Sequence, residues 1–178
     1  MNNKYIFFAD HRRCIGCGTC LAACMMNHDT VDGFLIPRMA LIKTRTISAP
    51  VGCRHCVDAP CMVACPAGVF SREGEVVKAN SGKCIGCGSC VVACPFGAID
   101  VIQTSAPTTV SGHAFNMGGR MEVLKCDLCD GKESGPSCIK ACLTNALVLI
   151  DEDVIKESIK SKRISAAESA CAASVGGL

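Results

Sequence analysis

The chain has no tryptophan, one tyrosine and six phenylalanines, so aromatic residues make up 4% of its 178 positions. Side chains alone would build a thin core, and something else is expected to fill the interior. The same shortage removes the stacking platforms of a single-strand nucleic-acid groove. A formal charge of +2, with no long run of one sign, removes its electrostatic footprint. No segment reaches the roughly 20 apolar residues of a membrane-spanning helix. The opening MNNKYIFFADHRRC has only the short run YIFFA and no small-residue cleavage site. Its Arg12-Arg13 pair is followed by a cysteine rather than a hydrophobic stretch, so a cytoplasmic location is expected. No Rossmann or P-loop glycine pattern is present, and nucleotide or flavin binding is not indicated. The four histidines, His11, His28, His55 and His113, share no spacing with a carboxylate or nucleophile. No site for bond-making catalysis is expected.

Cysteine is what the chain has in excess, with seventeen. In a reducing compartment so many thiols point to metal rather than to disulfides. Sixteen fall into quartets: Cys14, Cys17, Cys20, Cys24; then Cys53, Cys56, Cys61, Cys65; then Cys84, Cys87, Cys90, Cys94; and last Cys126, Cys129, Cys138, Cys142. Cys171 is left over and reads as a free thiol. The first and third quartets have the spacing C-x2-C-x2-C-x3-C, and the other two stretch the middle gap to x4 and x8. A structural zinc site takes two C-x2-C knuckles from separate segments and closes a tetrahedron. Three cysteines within seven residues converge instead on one side of a wide object. They suit three corners of an iron–sulfur cubane, the bacterial ferredoxin run, whose fourth cysteine ligates the other cluster of a pair. Four [4Fe–4S] clusters are the expectation, with zinc at the fourth quartet as the alternative there. Gly16, Gly18, Gly86 and Gly88 let the backbone wrap closely and aim N–H groups at sulfur. Ile15 and Ile85 are expected to shield cluster faces, and Met25, Met26, Met62 and Phe96 to pack on them. Arg13, Lys83 and Lys125 each precede a quartet, where positive charge would raise a cluster's potential.

Between Cys65 and Cys84, PAGVFSREGEVVKANSGK reads as strands near Val69–Ser71 and Val76–Lys78 joined at REGE, then an Asn-Ser-Gly turn. One hairpin leaves no room for a domain boundary, so the second and third quartets are expected to share a unit. The first and fourth then pair by exclusion. Sequential units, first with second and third with fourth, stay open on spacing alone. Proline follows the last cysteine in the second and third quartets (Pro66, Pro95) and is absent from the first and fourth (Met25, Leu143). This agrees with the nested arrangement. If each fourth cysteine crosses over, Cys14, Cys17 and Cys20 join Cys142, and Cys126, Cys129 and Cys138 join Cys24. Likewise Cys53, Cys56 and Cys61 join Cys94, and Cys84, Cys87 and Cys90 join Cys65. The fold class is then α+β. Residues 1–50 and 104–150 form an outer ferredoxin-like unit, 51–103 an inner one, and 151–178 a helical tail.

With its quartets in this order, and with stretches such as CRHCVDAPCMVACPAGVF and KCDLCDGKESGPSCIKACLTNAL, the chain from residue 4 to about 150 resembles a known group. These are the four-cluster ferredoxin-like electron-transfer subunits of molybdenum or tungsten oxidoreductases and hydrogenases. It looks most like the short subunits that link formate dehydrogenase to hydrogenase in formate hydrogenlyase-type systems and hydrogen-dependent carbon dioxide reductase. The resemblance implies the nested pairing, a roughly linear row of clusters, and partners of both enzyme types. The membrane-bound respiratory relatives carry a C-terminal transmembrane helix that this sequence lacks, so a quinone-linked periplasmic role is not expected. A free polyferredoxin serving other enzymes, such as carbon monoxide dehydrogenase, is the second reading, and a zinc-stapled scaffold the third. Residues 103–119, small, polar and Gly-rich, read as the long connection that returns the chain from the central unit to the fourth quartet. After the strand ALVLI, the acidic DED is expected to cap a helix to about Ala173. Its stripe of Ile155, Ile159, Ala166 and Ala170 is interrupted at Lys162. That tail is expected to join copies of the chain, or a paralogous four-cluster subunit, in a complex or filament.

Overall fold

Among the described residues, ten short strands pair into five two-stranded antiparallel ribbons, none longer than five residues. The computed structural model describes residues 6–105, 108–110, 113–115, 119–150 and 152–175. Three ribbons join neighbours in sequence: β2 (Ala40–Lys43) with β3 (Ser48–Val51), β4 (Phe70–Glu73) with β5 (Val76–Ala79), and β7 (Thr108–Val110) with β8 (His113–Phe115). The other two are long-range. β1 (Ile6–Ala9) pairs with β10 (Leu147–Ile150), and β6 (Ile99–Gln103) with β9 (Met121–Lys125). The β4–β5 hairpin sits where the alternation in VFSREGEVVKA predicts it, turning at Gly74 with φ 57°. The Asn80 side chain then accepts from the Gly82 N–H and starts a single 3₁₀ turn, Ser81–Lys83.

The connection over residues 103–119 carries a strand pair of its own. The β-branched run Thr108–Val110 forms a hairpin with His113–Phe115, and Thr104 clamps its base by donating N–H and hydroxyl to the Arg120 carbonyl at 2.8 and 2.9 Å.

Four short helices follow the cysteine loops: α1 (Thr19–Asn27), α2 (Pro60–Val63), α3 (Ser89–Ala93) and α4 (Ser137–Lys140). The first three are each entered through a left-handed residue: Gly18 (φ 81°), Ala59 (33°) and Gly88 (70°). α1 packs on α4, and α2 on α3. The core lies in two contiguous patches. One gathers Phe7, Met39 and Leu147 around Cys20, Cys24, Cys126 and Cys138, and the other Val69, Phe70, Val77 and Ile99 around Cys61 and Cys90. Thiols therefore occupy interior volume that aromatic side chains fill elsewhere. The last helix, α5 (Glu152–Val175), carries an unbroken exposed run over residues 156–169. Cys171 lies on it, and its side chain is outside the described residues.

Candidate metal centre

Each quartet is a backbone device before it is a set of thiols. The residue two positions after the first cysteine is left-handed in all four: Gly16 (φ 67°), His55 (47°), Gly86 (74°) and Leu128 (58°). Only two of these are the glycines that the sequence points to. The bend turns the N–H of that residue back to the first sulfur: His55 donates to Cys53 Sγ at 3.3 Å, Gly86 to Cys84 at 3.4 Å, and Leu128 to Cys126 at 3.5 Å. The last cysteine is served by a second device. Three residues beyond it stands another left-handed residue, Gly68 (59°), Gly97 (56°) or Asn145 (50°). The following N–H then meets the sulfur: Val69 to Cys65 (3.4 Å), Ala98 to Cys94 (3.5 Å) and Ala146 to Cys142 (3.2 Å).

The first quartet departs from this. With no proline or glycine after Cys24, α1 runs on to Asn27, and the Arg38 N–H reaches Cys24 at 3.3 Å instead. The fourth quartet also lacks the proline, yet α4 ends at Lys140 and Asn145 makes the turn. The missing proline therefore lengthens one helix and not the other.

Long-range pairing decides which thiols meet. Through β1–β10, Cys14, Cys17, Cys20 and Cys142 line one cavity, walled by Leu41, Pro50 and Leu147. Cys53, Cys56, Cys61 and Cys94 line a second, walled by Val77, Phe96 and Ile99. Burial pushes the Cys138 thiol up to about 12, and negative charge at Cys24 and Cys129 adds to the shift. Burial does the same at Cys126, to about 12, with Cys138 contributing. At Cys90 burial raises the thiol, with Cys65 and Cys84 adding to it. Cys87 is exposed, its Sγ 3.5 Å from the Ser89 hydroxyl, as Cys17 is 3.3 Å from that of Thr19; both hydroxyls lower their thiol.

These surroundings fit a cationic inorganic group bound through sulfur. Thiolates crowded in apolar cavities repel one another, and buried thiols resist ionising until metal supplies the opposite charge. Backbone N–H groups aimed at sulfur suit ligated thiolates. His55 gives a further sign. It is 1% exposed, and its Nδ1 accepts the Val77 N–H at 3.0 Å, so the ring proton sits on Nε2. That buried donor has no protein acceptor among the described residues. Burial, and then the charge of Lys125, lowers the His55 pKa to about 3, so the ring is neutral.

Sequence reasoning missed His28. It ends α1, is buried, and holds Nε2 3.7 Å from Cys129 Sγ and 3.6 Å from Asp127 Oδ1. Its only signal is the absent proline that lets α1 continue. Met26 was expected against a cluster and is 81% exposed, with Met62 at 37%. Ile15 lines the first cavity while remaining 67% exposed, and His11 is exposed. Phe96 lines the second cavity, with the Arg54 guanidinium 5.5 Å from its ring centroid. No helix among the described residues is long and apolar enough to cross a membrane.

Comparison with known proteins agrees with this chemistry. The family model for a 4Fe-4S binding domain matches residues 77–100. Electron transport protein HydN of Escherichia coli (strain K12) is 41% identical over 170 residues, covering 90% of this chain and 95% of that protein. Hydrogenase-4 component A of the same organism is 39% identical over 187 residues, covering 93% and 91%. Formate hydrogenlyase subunit 2 is 36% identical over 180 residues, covering 90% and 88%.

Proposed function

Because the chain belongs to the family of 4Fe-4S electron-transport proteins that includes these three relatives, we propose that it is an electron-transfer subunit with no substrate of its own. In this reading it relays single electrons through four [4Fe–4S] clusters. They run between a molybdenum or tungsten catalytic subunit of the formate dehydrogenase type and a hydrogenase, in a hydrogen-dependent CO2 reductase or related cytoplasmic complex. The observation that carries it is Cys142 facing Cys14, Cys17 and Cys20 across one cavity, from the far end of the chain.

The ligand sets are then Cys14, Cys17, Cys20 and Cys142; Cys53, Cys56, Cys61 and Cys94; Cys84, Cys87, Cys90 and Cys65; and Cys126, Cys129, Cys138 and Cys24. The outer unit takes residues 1–50 and 104–150, the inner unit 51–103, and the tail 151–178. When bound, such clusters supply one-electron transfer with little rearrangement. The chain contributes the rest. Left-handed turns hold the thiolates, N–H groups stabilise their charge, and Leu41, Pro50, Val77 and Ile99 keep water out.

Negative charge at Cys20 is felt at Cys138, and the charge of Lys125 at both Cys61 and Cys126. This proximity supports a row ordered first set, fourth-quartet set, second-quartet set, third-quartet set. Exposed apolar side chains beside the cysteines, Leu143 next to Cys142, and Val63 (84%) and Val92 (89%) on the helices of the second and third quartets, suit partner contact.

The test is to purify the protein without oxygen and determine iron, acid-labile sulfide and zinc. About sixteen irons per chain with equal sulfide, given four cubanes, is the expected result. About twelve irons with one zinc would make the fourth quartet a clamp, and zinc alone would overturn the reading. Stoichiometric co-purification with formate dehydrogenase and hydrogenase activities is expected. Isolation as a lone monomer would favour the free polyferredoxin.

A further inference from the structure

Three basic residues precede a quartet, and the fold treats one of them differently. Arg13 is 64% exposed at its side chain and 3.6 Å from Asp10, and Lys83 is exposed, whereas Lys125 is 3% exposed. The end of β9 carries it inward. Val123, Leu124 and Lys125 are all buried, and Lys125 stands opposite Ile99, itself 1% exposed. It is the one buried lysine or arginine among the described residues.

Taking an ammonium out of water is costly unless hydrogen bonds and opposite charge offset the loss. Lys125 Nζ donates to the Val77 carbonyl and, at 2.8 Å, to the Cys126 carbonyl, both neutral acceptors. It lines a cavity of about 110 Å³ together with Arg38, Lys78, Glu122 and Asp127. Asp127 is 2.6 Å from Arg38 Nη1, Glu122 accepts from the Ser81 hydroxyl at 2.9 Å, and Lys78 is paired with Glu73 and Asp130 at 2.7 and 2.6 Å. Among the described residues no carboxylate is paired with Lys125, and its two acceptors set it between sulfurs: Val77 walls the cavity of Cys53, Cys56, Cys61 and Cys94, and Cys126 opens the fourth quartet. Burial raises the thiols of Cys61 and Cys126, and the Lys125 charge opposes that rise at both. In the reading above these two cysteines belong to different clusters.

We infer that Lys125 is an electrostatic bridge between the cluster of Cys53, Cys56, Cys61 and Cys94 and the cluster of Cys24, Cys126, Cys129 and Cys138. Its fixed charge raises both reduction potentials together. The inference rests on the four-cluster reading. A thiolate-ligated cubane is anionic and gains one more negative charge on reduction, so a nearby ammonium favours the reduced state of either cluster. Arg13 and Lys83, in water, are screened. The consequence is that both central stations hold an arriving electron more favourably than they would without the ammonium.

The experiment uses full-length protein purified anaerobically, with Lys125→Met, Lys125→Gln and Lys125→Arg beside the parent. Iron and sulfide are measured first, so a parent without iron would sink the four-cluster reading before Lys125 is tested. Redox titration followed by electron paramagnetic resonance comes next. In the Met and Gln variants two of the four midpoint potentials should move negative and two stay in place. Lys125→Arg should leave all four close to the parent, and Lys83→Met should move none. Full iron with four unchanged midpoints in a neutral variant would overturn the proposal, as would a uniform shift of all four. If neutral variants fail to load iron and Lys125→Arg loads it, the charge itself holds the anionic pair, which supports the bridge. If Lys125→Arg fails as well, the residue acts through packing and the bridge is wrong.

Discussion

Left-handed residues are the working parts of every cysteine loop, and they differ in what surrounds them. A Cβ on Gly16 would lie 2.5 Å from Ser48 Oγ and 3.0 Å from Lys43 Cε, whereas one on Gly18 meets nothing within 4 Å. Both positions carry the roughly 1–2 kcal/mol strain of a left-handed L-residue; only Gly16 adds a clash. Gly16→Ala is therefore expected to lower the temperature of cluster loss more than Gly18→Ala. Ser48→Ala should recover part of the difference, and equal effects would contradict the packing argument. The thiols differ as sharply. In freshly iron-stripped protein, Cys17 and Cys87, exposed and lowered by the Thr19 and Ser89 hydroxyls, should alkylate first. Cys126 and Cys138, raised to about 12 by burial, should alkylate last. A lowered pKa puts more thiolate at a given pH, so the gap between the two groups should be widest near neutrality and narrow as pH rises. Mass spectrometry of the labelled sites reads this directly, and uniform labelling near neutrality would count against it. Three or four residues of spacing reveal the thiols, but not that His55 and Leu128 take the conformation glycine takes elsewhere. Nothing in an isolated His or Leu announces φ near 50°.

Among the elements, the two positions lacking proline separate in their consequences. Met25 is inside α1, which continues to Asn27 and delivers His28 to Cys129. A proline there would remove a helical N–H and clash with the preceding turn, a loss of about 3 kcal/mol. Leu143 lies past the end of α4, is 77% exposed, and is followed by a turn already made by Asn145. Met25→Pro should thus destabilise the protein strongly, while Leu143→Pro should be tolerated; chemical denaturation of the two variants compares them. α5 gives the other prediction at this scale. Ile159 (42%) and Ile164 (49%) are exposed on it, and residues 156–169 face solvent. Deletion after Asp153 should leave iron content unchanged and reduce the mass of the native assembly in light scattering. Unchanged mass and unchanged partner binding would remove the tail from assembly. The helix is legible in the sequence from its acidic start and long run of helix formers. The exposure of residues 156–169 is not, because weak amphipathicity fits a docked helix equally well.

At the scale of the whole molecule, the β1–β10 ribbon brings residues near 9 against residues near 147, and β6–β9 ties 99 to 125. This geometry has a countable consequence for the proposed ligand sets. Cys24→Ala and Cys138→Ala would strike the same cluster, so the double variant should lose no more iron than either single one, roughly four atoms. If each quartet ligated its own cluster, or the first paired with the second, the double variant would lose about eight. Iron analysis of three proteins distinguishes these outcomes.

Local order was legible in the residues alone. The grouping of sixteen cysteines, the 70–79 hairpin and the C-terminal helix all follow from spacings and propensities that act over a few residues. Only the folded chain shows that Cys142 shares a cavity with Cys14, Cys17 and Cys20, and Cys94 one with Cys53, Cys56 and Cys61, that Lys125 is interior while Lys83 is not, and that His28 lies beside Cys129. Those outcomes depend on strand pairings between segments distant in the chain. Their energy comes from burying Phe7, Leu147, Ile99 and Val123 against surfaces that exist only once the ribbons have closed.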